Sequence, residues 1–241
     1  MKKLLKKALI GFCVINVTMM GLMLSLRWIN PVTSAFALRD YLFHGCPLYN
    51  LNQDWAPLDE ITPFIIQTVV SGEDYKFFEH KGVHFNQLFY VFKKNLKKKT
   101  FGGSTITQQT IKNLFLFKER SYIKKAIEMY LACLLECFLS KERILEIYLN
   151  IIEFGQGLYG VNKASHFYFN KRVGDLFFDE SCLLIGVLPW PSRITEYDEI
   201  IGNAKILYRA SILYKMLYPQ ARQLNPSRLH SYNSRPCFTI L

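Results

Sequence analysis

Apolar positions along the chain form one unbroken block and then a series of shorter runs with helical spacing. Ala8 to Leu26 contains no charged residue, which approaches the ~20 apolar residues that cross a bilayer core. Lys2, Lys3, Lys6 and Lys7 precede the block, and Arg27 and Trp28 follow it. Lysine excess on one side of a span keeps that side in the cytoplasm. The pattern therefore predicts a basic cytoplasmic tip over 1–7, a single-pass anchor over 8–29 and a body on the far side of the membrane. A cleaved signal peptide would have a shorter apolar region, ~7–15 residues, ending in a small-residue site. Before Arg27 no convincing site is present, and Thr33-Ser34-Ala35 is a weak candidate.

Residues 30–56 read as a linker, interrupted by Pro31, Gly45 and Pro47. The body is predicted over 57–225, followed by a polar tail over 226–241. Thr62-Pro63 has the form of an N-cap with proline in the first helical position. Phe64, Ile65, Ile66, Val69 and Val70 give that helix a buried face, and Gly72 stops it. Glu73 then lies just past a helix end. Gly102-Gly103 makes a turn, and Ser104 can cap a second helix. On it Thr105, Gln108, Gln109 and Lys112 share a polar face, while Ile106, Ile111, Leu114 and Phe115 serve the core. Ser121 opens a third helix whose apolar positions, Ile123, Ile127, Tyr130, Leu131, Leu134, Leu135 and Phe138, repeat near 3.6 and predict a core face. Ser140 opens a fourth, through Ile144, Leu145, Tyr148 and Leu149, ending near Gly155 and Gly157. Strand-like alternation is scarce, so the fold class is mainly α.

With half of its 241 residues hydrophobic, the chain is too apolar for a disordered protein. Its formal charge is +11, which calls for an anionic partner. Ten lysines and arginines (Lys93, Lys94, Lys97, Lys98, Lys99, Lys112, Lys118, Arg120, Lys124, Lys125) face one acid, Glu119, between 93 and 125. A body outside the cytoplasm makes nucleic acid a poor partner, and a lipid headgroup or diphosphate a good one. The six cysteines include no CxxC pair. Cys133 and Cys137, four apart in a helical pattern, read as buried core thiols, and a Cys46–Cys237 bridge has no support in the spacing.

Two runs carry candidate chemistry. Glu73-Asp74-Tyr75-Lys76-Phe77-Phe78-Glu79-His80-Lys81-Gly82 sets acids at a helix end among aromatics. Desolvation of that kind suits a carboxylate to general-base work. Gly103-Ser104-Thr105 leads into a helix N-terminus, a site for an anionic group. A carboxylate beside an anion site suggests sugar transfer from a phosphate leaving group. His80 reads as a structural hydrogen-bonding residue, and no His and acid cluster at ligand spacing surrounds it, so no protein metal site is expected. Lys124 and Glu128 stand one turn apart in the weaker orientation for a surface pair. Ser121-x-x-Lys124 matches the SxxK pattern of transpeptidases, but no Ser-x-Asn or Lys-Thr-Gly partner follows.

Five blocks in order make the chain resemble the monofunctional biosynthetic peptidoglycan transglycosylases, the domain that also forms the N-terminal half of bifunctional penicillin-binding proteins. They are Glu73-Asp74-x-x-Phe77-x-x-His80-x-Gly82; Gly103-Ser104-Thr105-Ile106-Thr107-Gln108-Gln109 with Lys112 and Asn113; Arg120-Ser121-x-x-Lys124-Lys125-x-x-Glu128; Arg143-Ile144-Leu145-Glu146-x-Tyr148-Leu149-Asn150 through Gly155 and Gly160; and Leu183-Leu184-x-x-Val187-Leu188-Pro189-x-Pro191. The resemblance covers roughly residues 30–220. Tyr90 departs from it, standing where the family usually carries a basic residue.

The resemblance implies a lysozyme-like, mainly helical glycosyltransferase domain with a membrane-embedded jaw, to which Phe85–Phe92 could contribute. It implies lipid II and the growing glycan chain as substrates, at the bacterial inner membrane. Glu73 would be the general base, and Glu128 a second catalytic glutamate. Asp74, Phe77, His80, Gly103, Ser104, Thr105, Gln108, Gln109, Lys112, Asn113, Lys124 and Lys125 would bind substrate. A divalent cation, Mg or Mn, held mostly by the substrate diphosphate, would fit that chemistry. Division or elongation proteins are the expected protein partners. Two rivals stand beside this reading. A lytic transglycosylase or muramidase would cut glycan and need no diphosphate site; a non-catalytic membrane-tethered scaffold would need no intact carboxylates.

Overall fold

The structure, a computed structural model, describes residues 2–44, 54–84, 103–116 and 121–224. The lysines at 93–99, Tyr90, the Phe85–Phe92 stretch, Lys118, Glu119, Arg120, Cys46, Cys237 and the polar tail lie outside the described residues. The body is mainly helical, as the periodicity predicts. A long apolar helix, α1 (Lys2–Ser25), comes first and is long and apolar enough to cross a membrane. A short helix, α2 (Ala35–His44), follows.

The body is built on two helical groups. In the first, α3 (Pro63–Glu73) and the long C-terminal helix α10 (Ala204–Leu224) pack on α8 (Phe178–Gly186). All of α8 is buried, its apolar residues Phe178 and Cys182 to Ile185 together with Asp179, Glu180 and Ser181. Its acid Glu180 is tolerated there because Lys171 Nζ reaches both carboxylate oxygens, at 2.8 and 2.9 Å, and Phe177 N–H donates to the same group. In the second group, α4 (Ile106–Phe115) packs against α5 (Tyr122–Phe138) and α6 (Lys141–Ile151). Two further short helices, α7 (Val161–Phe169) and α9 (Tyr197–Gly202), complete the body.

Four local expectations change. The fourth helix ends at Ile151, and Gly155 and Gly157 belong to a small antiparallel hairpin, β1 (Glu153–Gly155) and β2 (Leu158–Tyr159). Cys133 is only half-buried and Cys137 is exposed, so they are not paired core thiols. Ile123, Ile127 and Tyr130 on α5 are 73%, 43% and 50% exposed; the helix forms, but that face is not core. Finally α3 runs on through Gly72, so Glu73 is its last residue and Asp74 its C-cap.

Two contacts fix the geometry around the site. Asn150 on α6 pairs with the backbone of Ala56, accepting its N–H and donating to its carbonyl, both at 2.8 Å; this pins the linker to the body. Gly82 has φ +84°, and a Cβ there would come within 2.7 Å of the Ala132 carbonyl on α5. Both the backbone angle and the space demand glycine. Gly82→Ala is therefore expected to destabilise the fold by about 1–3 kcal/mol from backbone strain alone. A thermal melt with an unchanged midpoint would contradict this.

Candidate active site

The site grows from the start of α4. Thr105, not Ser104, is its N-cap: Thr105 Oγ1 accepts the Gln108 N–H at 3.1 Å, and Gln108 Oε1 accepts the Thr105 N–H at 2.9 Å. This reciprocal box satisfies two backbone donors that the helix leaves open. Thr105 also donates its hydroxyl to the Gly82 carbonyl at 2.6 Å. Ile106 N–H then donates to Asp74 Oδ2 at 3.0 Å. The helix start is thus occupied by the protein's own carboxylate, which corrects the expectation of an open phosphate site there. Asp74 in turn lies 2.8 Å from His80 Nε2.

Several expected ligand contacts are consequently interior. Gln108 and Phe77 are fully buried, and Asp74, Thr105 and Asn113 nearly so; His80 has a side chain only 6% exposed. They present little or no surface to a ligand. Asp74, Thr105 and Gln108 hold the start of α4, and Asn113 Nδ2 donates to the Gln109 carbonyl within that helix at 2.8 Å.

Glu73 sits among polar groups, with a side chain 14% exposed. Phe77 and Phe78, expected beside it, pack edge-on against each other, centroids 5.1 Å apart, and the aromatic that feels its charge is Tyr148. Gln109 Nε2 donates to Glu73 Oε2 at 2.9 Å, and Arg209 Nη2 donates to Glu73 Oε1 at 2.5 Å and to the Gly72 carbonyl at 3.2 Å. Tyr148 OH donates to Gln109 Oε1 at 3.1 Å. Burial first, and the Glu73 charge next, push the Tyr148 phenol well above its ordinary value. It therefore remains a proton donor, which turns the amide oxygen of Gln109 toward it and the NH₂ toward Glu73.

Neither Arg209 nor Tyr148 was singled out for chemistry from sequence. The available signal was an arginine flanking the buried stripe Ile206, Ala210, Leu213 and Leu217 on α10. A cation beside a core stripe needs an acid, and the acid is 136 positions away. Arg209→Met should misplace the carboxylate and lower kcat by about 10²-fold, with a smaller change in KM. A raised KM with kcat unchanged would instead mark Arg209 as a plain substrate contact.

A second group adjoins the first through Ser104. Lys125 Nζ donates to Ser104 Oγ at 2.7 Å and to Glu128 Oε1 at 2.5 Å. The partner of Glu128 is thus Lys125, three residues away, and not the Lys124 that the four-residue spacing suggested. Glu128 is nearly buried, while Lys125 is about one-third exposed. Gly103, Ser104, Lys112 and Lys124 are half-buried. Lys112 extends toward α2, with Nζ 5.8 Å from the centre of the Phe36 ring. A carboxylate held at two oxygens, beside a carboxylate-braced ammonium and a serine, is an arrangement able to take a proton at one point and receive negative charge at another.

The model of the transglycosylase family matches residues 43–217. The chain belongs to that family. Among its relatives, a biosynthetic peptidoglycan transglycosylase from Bdellovibrio bacteriovorus is 39% identical over 196 residues, spanning 80% of this chain and 77% of that protein. One of the same description from Shewanella oneidensis is 37% identical over 209 residues, spanning 86% and 87%. A third, from Mannheimia succiniciproducens, is 41% identical over 169 residues, spanning 68% and 69%. Glu73, Ser104, Gln109, Lys125, Glu128 and Arg209 all fall within the part of the chain that the transglycosylase model matches.

Proposed function

We propose that this transglycosylase is a peptidoglycan glycosyltransferase that polymerises lipid II into glycan strands. The carrying observation is the pair of groups at the start of α4, one built around Glu73 and the other around Lys125. In the proposed step, Glu73 takes the proton from the 4-hydroxyl of the acceptor GlcNAc. The freed oxygen attacks C1 of the MurNAc on the growing donor chain, and the C1–O bond to the diphosphate breaks with inversion. Undecaprenyl diphosphate leaves with the bonding pair. Lys125, with Lys112 and Lys124, stabilises that charge as it develops. Glu128 and Ser104 aim the Lys125 ammonium; Gln109 and Arg209 aim Glu73.

A divalent ion, Mg or Mn, would belong to the substrate in this scheme. Among the described residues no three His, Cys, Asp or Glu side chains come together to hold one, and Glu128, the nearest acid to the cationic group, is engaged by Lys125. Diphosphate oxygens would therefore supply most of its ligands, and no step above runs through it.

The helix α1, with lysines at its start, supports single-pass anchoring in the bacterial inner membrane, N-terminus in the cytoplasm and body in the periplasm. A lytic enzyme and a synthase separate in one pair of assays. Purified protein with lipid II should release undecaprenyl diphosphate, and with finished peptidoglycan it should release no muropeptides. The reverse result would establish the lytic reading.

A further inference from the structure

The second half of α1 is not bare. Residues 2–15 are all exposed, but from Asn16 onward one face meets the body: Asn16, Met19 and Met20 are half-buried, and Met23 and Leu26 are buried. That spacing of three and four is a single helical stripe. Met19, Met23 and Leu26 join the main hydrophobic core. Neighbours on the other face, such as Val17 at 68% and Leu22 at 49%, stay exposed.

Polar contacts close both ends of this stripe. At its lower end, Tyr130 OH on α5 donates to Asn16 Oδ1 at 2.7 Å. At its upper end, Arg143 on α6 reaches the carbonyls that follow α1. Its Nε donates to Leu26 O at 2.8 Å and its Nη2 to Ile29 O at 3.2 Å and Asn30 Oδ1 at 2.7 Å. These acceptors lie just past the last residue of α1, where the helix end carries partial negative charge, so a guanidinium is favourably placed there. Arg143 is itself fixed: Glu146 accepts from Nη1 at 2.6 Å, the Trp55 ring lies 5.4 Å from the guanidinium carbon, and Trp55 Nε1 donates to the same Glu146 oxygen at 3.0 Å.

We propose that the anchor is a docked part of the body, clasped by Arg143 at its end and by Tyr130 at Asn16, so that the catalytic domain is held at a fixed depth in the membrane. The inference rests on the reading of the chain as a membrane-anchored transglycosylase. From Leu26 down to Asn16 a helix descends about 15 Å, half of a hydrocarbon core of about 30 Å. A body docked over that length lies beside the outer leaflet. The exposed apolar face of α5, with Tyr122 at 95% and Ile123 and Ile127 beyond Tyr130, continues the same surface. Acyl chains are its occupant, since it adjoins the span. The Asn16–Tyr130 bond is then an intramembrane one, satisfying two groups that hydrocarbon would leave unpaired.

The test uses the full chain in native membrane vesicles, with Cys13, Cys133 and Cys137 changed to serine. Asn16→Cys with Tyr130→Cys should be joined by a short bis-maleimide, detected as a linked peptide pair by mass spectrometry. Val17→Cys with Tyr130→Cys, one position around the helix, should give little or none. Adding Arg143→Gln to the first pair should reduce the linked product. Linkage absent from the first pair, or equal in both, would overturn the clasp; full linkage with Arg143→Gln would remove Arg143 from it. Linkage is read without turnover. An inactive chain that links keeps the clasp and loses the enzymatic reading, whereas an active chain that fails to link loses the clasp alone.

Discussion

Glu73→Gln is expected to abolish glycan polymerisation while leaving the protein folded. An amide cannot accept the acceptor's proton, and a positioned general base typically supplies about 10²–10⁴ in rate. The surroundings of Glu73 add to the loss. Its two oxygens accept from two donors, Gln109 Nε2 and Arg209 Nη2. Glutamine has one oxygen, so its NH₂ must face one of those donors, and that contact is lost. An unsatisfied partner of this kind costs about 1–3 kcal/mol, which a thermal melt will register as a modest decrease. Glu73→Asp keeps the charge but draws it back by one methylene; it should retain more activity than glutamine and less than the native protein. Full polymerisation by Glu73→Gln would remove this residue from the chemistry.

Lys125→Ala is expected to reduce the rate by about 10²–10³, the usual loss when a group stabilising developing charge is removed. A structural explanation of the same loss is available, because Lys125 is the ammonium bonded to the nearly buried Glu128. Stranding that carboxylate would cost stability by itself. The double variant Lys125→Ala with Glu128→Ala separates the two causes. If stranding were responsible, the double variant would regain activity as well as stability. The leaving-group role predicts recovery of stability only. Lys125→Arg, which preserves the charge, should fall between the native protein and Lys125→Ala in single-turnover assays of undecaprenyl diphosphate release.

Much of this architecture was legible in the chain. The charge-free block before Arg27 marked α1, and three- and four-residue spacing marked α3 through α6, because burying one helical face imposes that period. The five motif blocks contain every member of the two groups described above except Arg209. What escaped has identifiable causes. Ser104 and Thr105 are adjacent hydroxyl residues, with serine the better cap on its own, and Gln108 decides for Thr105 because it stands three residues on and completes a reciprocal box with it. Lys124 and Lys125 are both within a turn of Glu128, and the rotation of α5 against α4 selects Lys125. A periodic apolar face on α5 says that water is avoided, but not whether protein or lipid replaces it; Ile123 and Ile127 therefore read as core. Arg209 was hidden because its partner is far away in sequence, and local spacing carries no record of α10 crossing the end of α3. Asp74 shows a different limit: the glycine turn did announce a helix start suited to an anion, and the anion is a side chain of this protein.

These corrections narrow the chemistry more than they alter it. Asp74, Thr105 and Gln108 hold α4, and in the proposed step Ser104, Lys112, Lys124 and Lys125 would meet the diphosphate. Glu73, with Gln109, Tyr148 and Arg209 bonded around it, would form the proton-accepting side of that step. Labelled lipid II incubated with the purified full chain, native against Glu73→Gln, and resolved as glycan ladders on a gel, tests this division most directly. Ladders from the native protein and none from the folded variant are the predicted result; ladders of equal length and yield from both would contradict the assignment of Glu73 as the base.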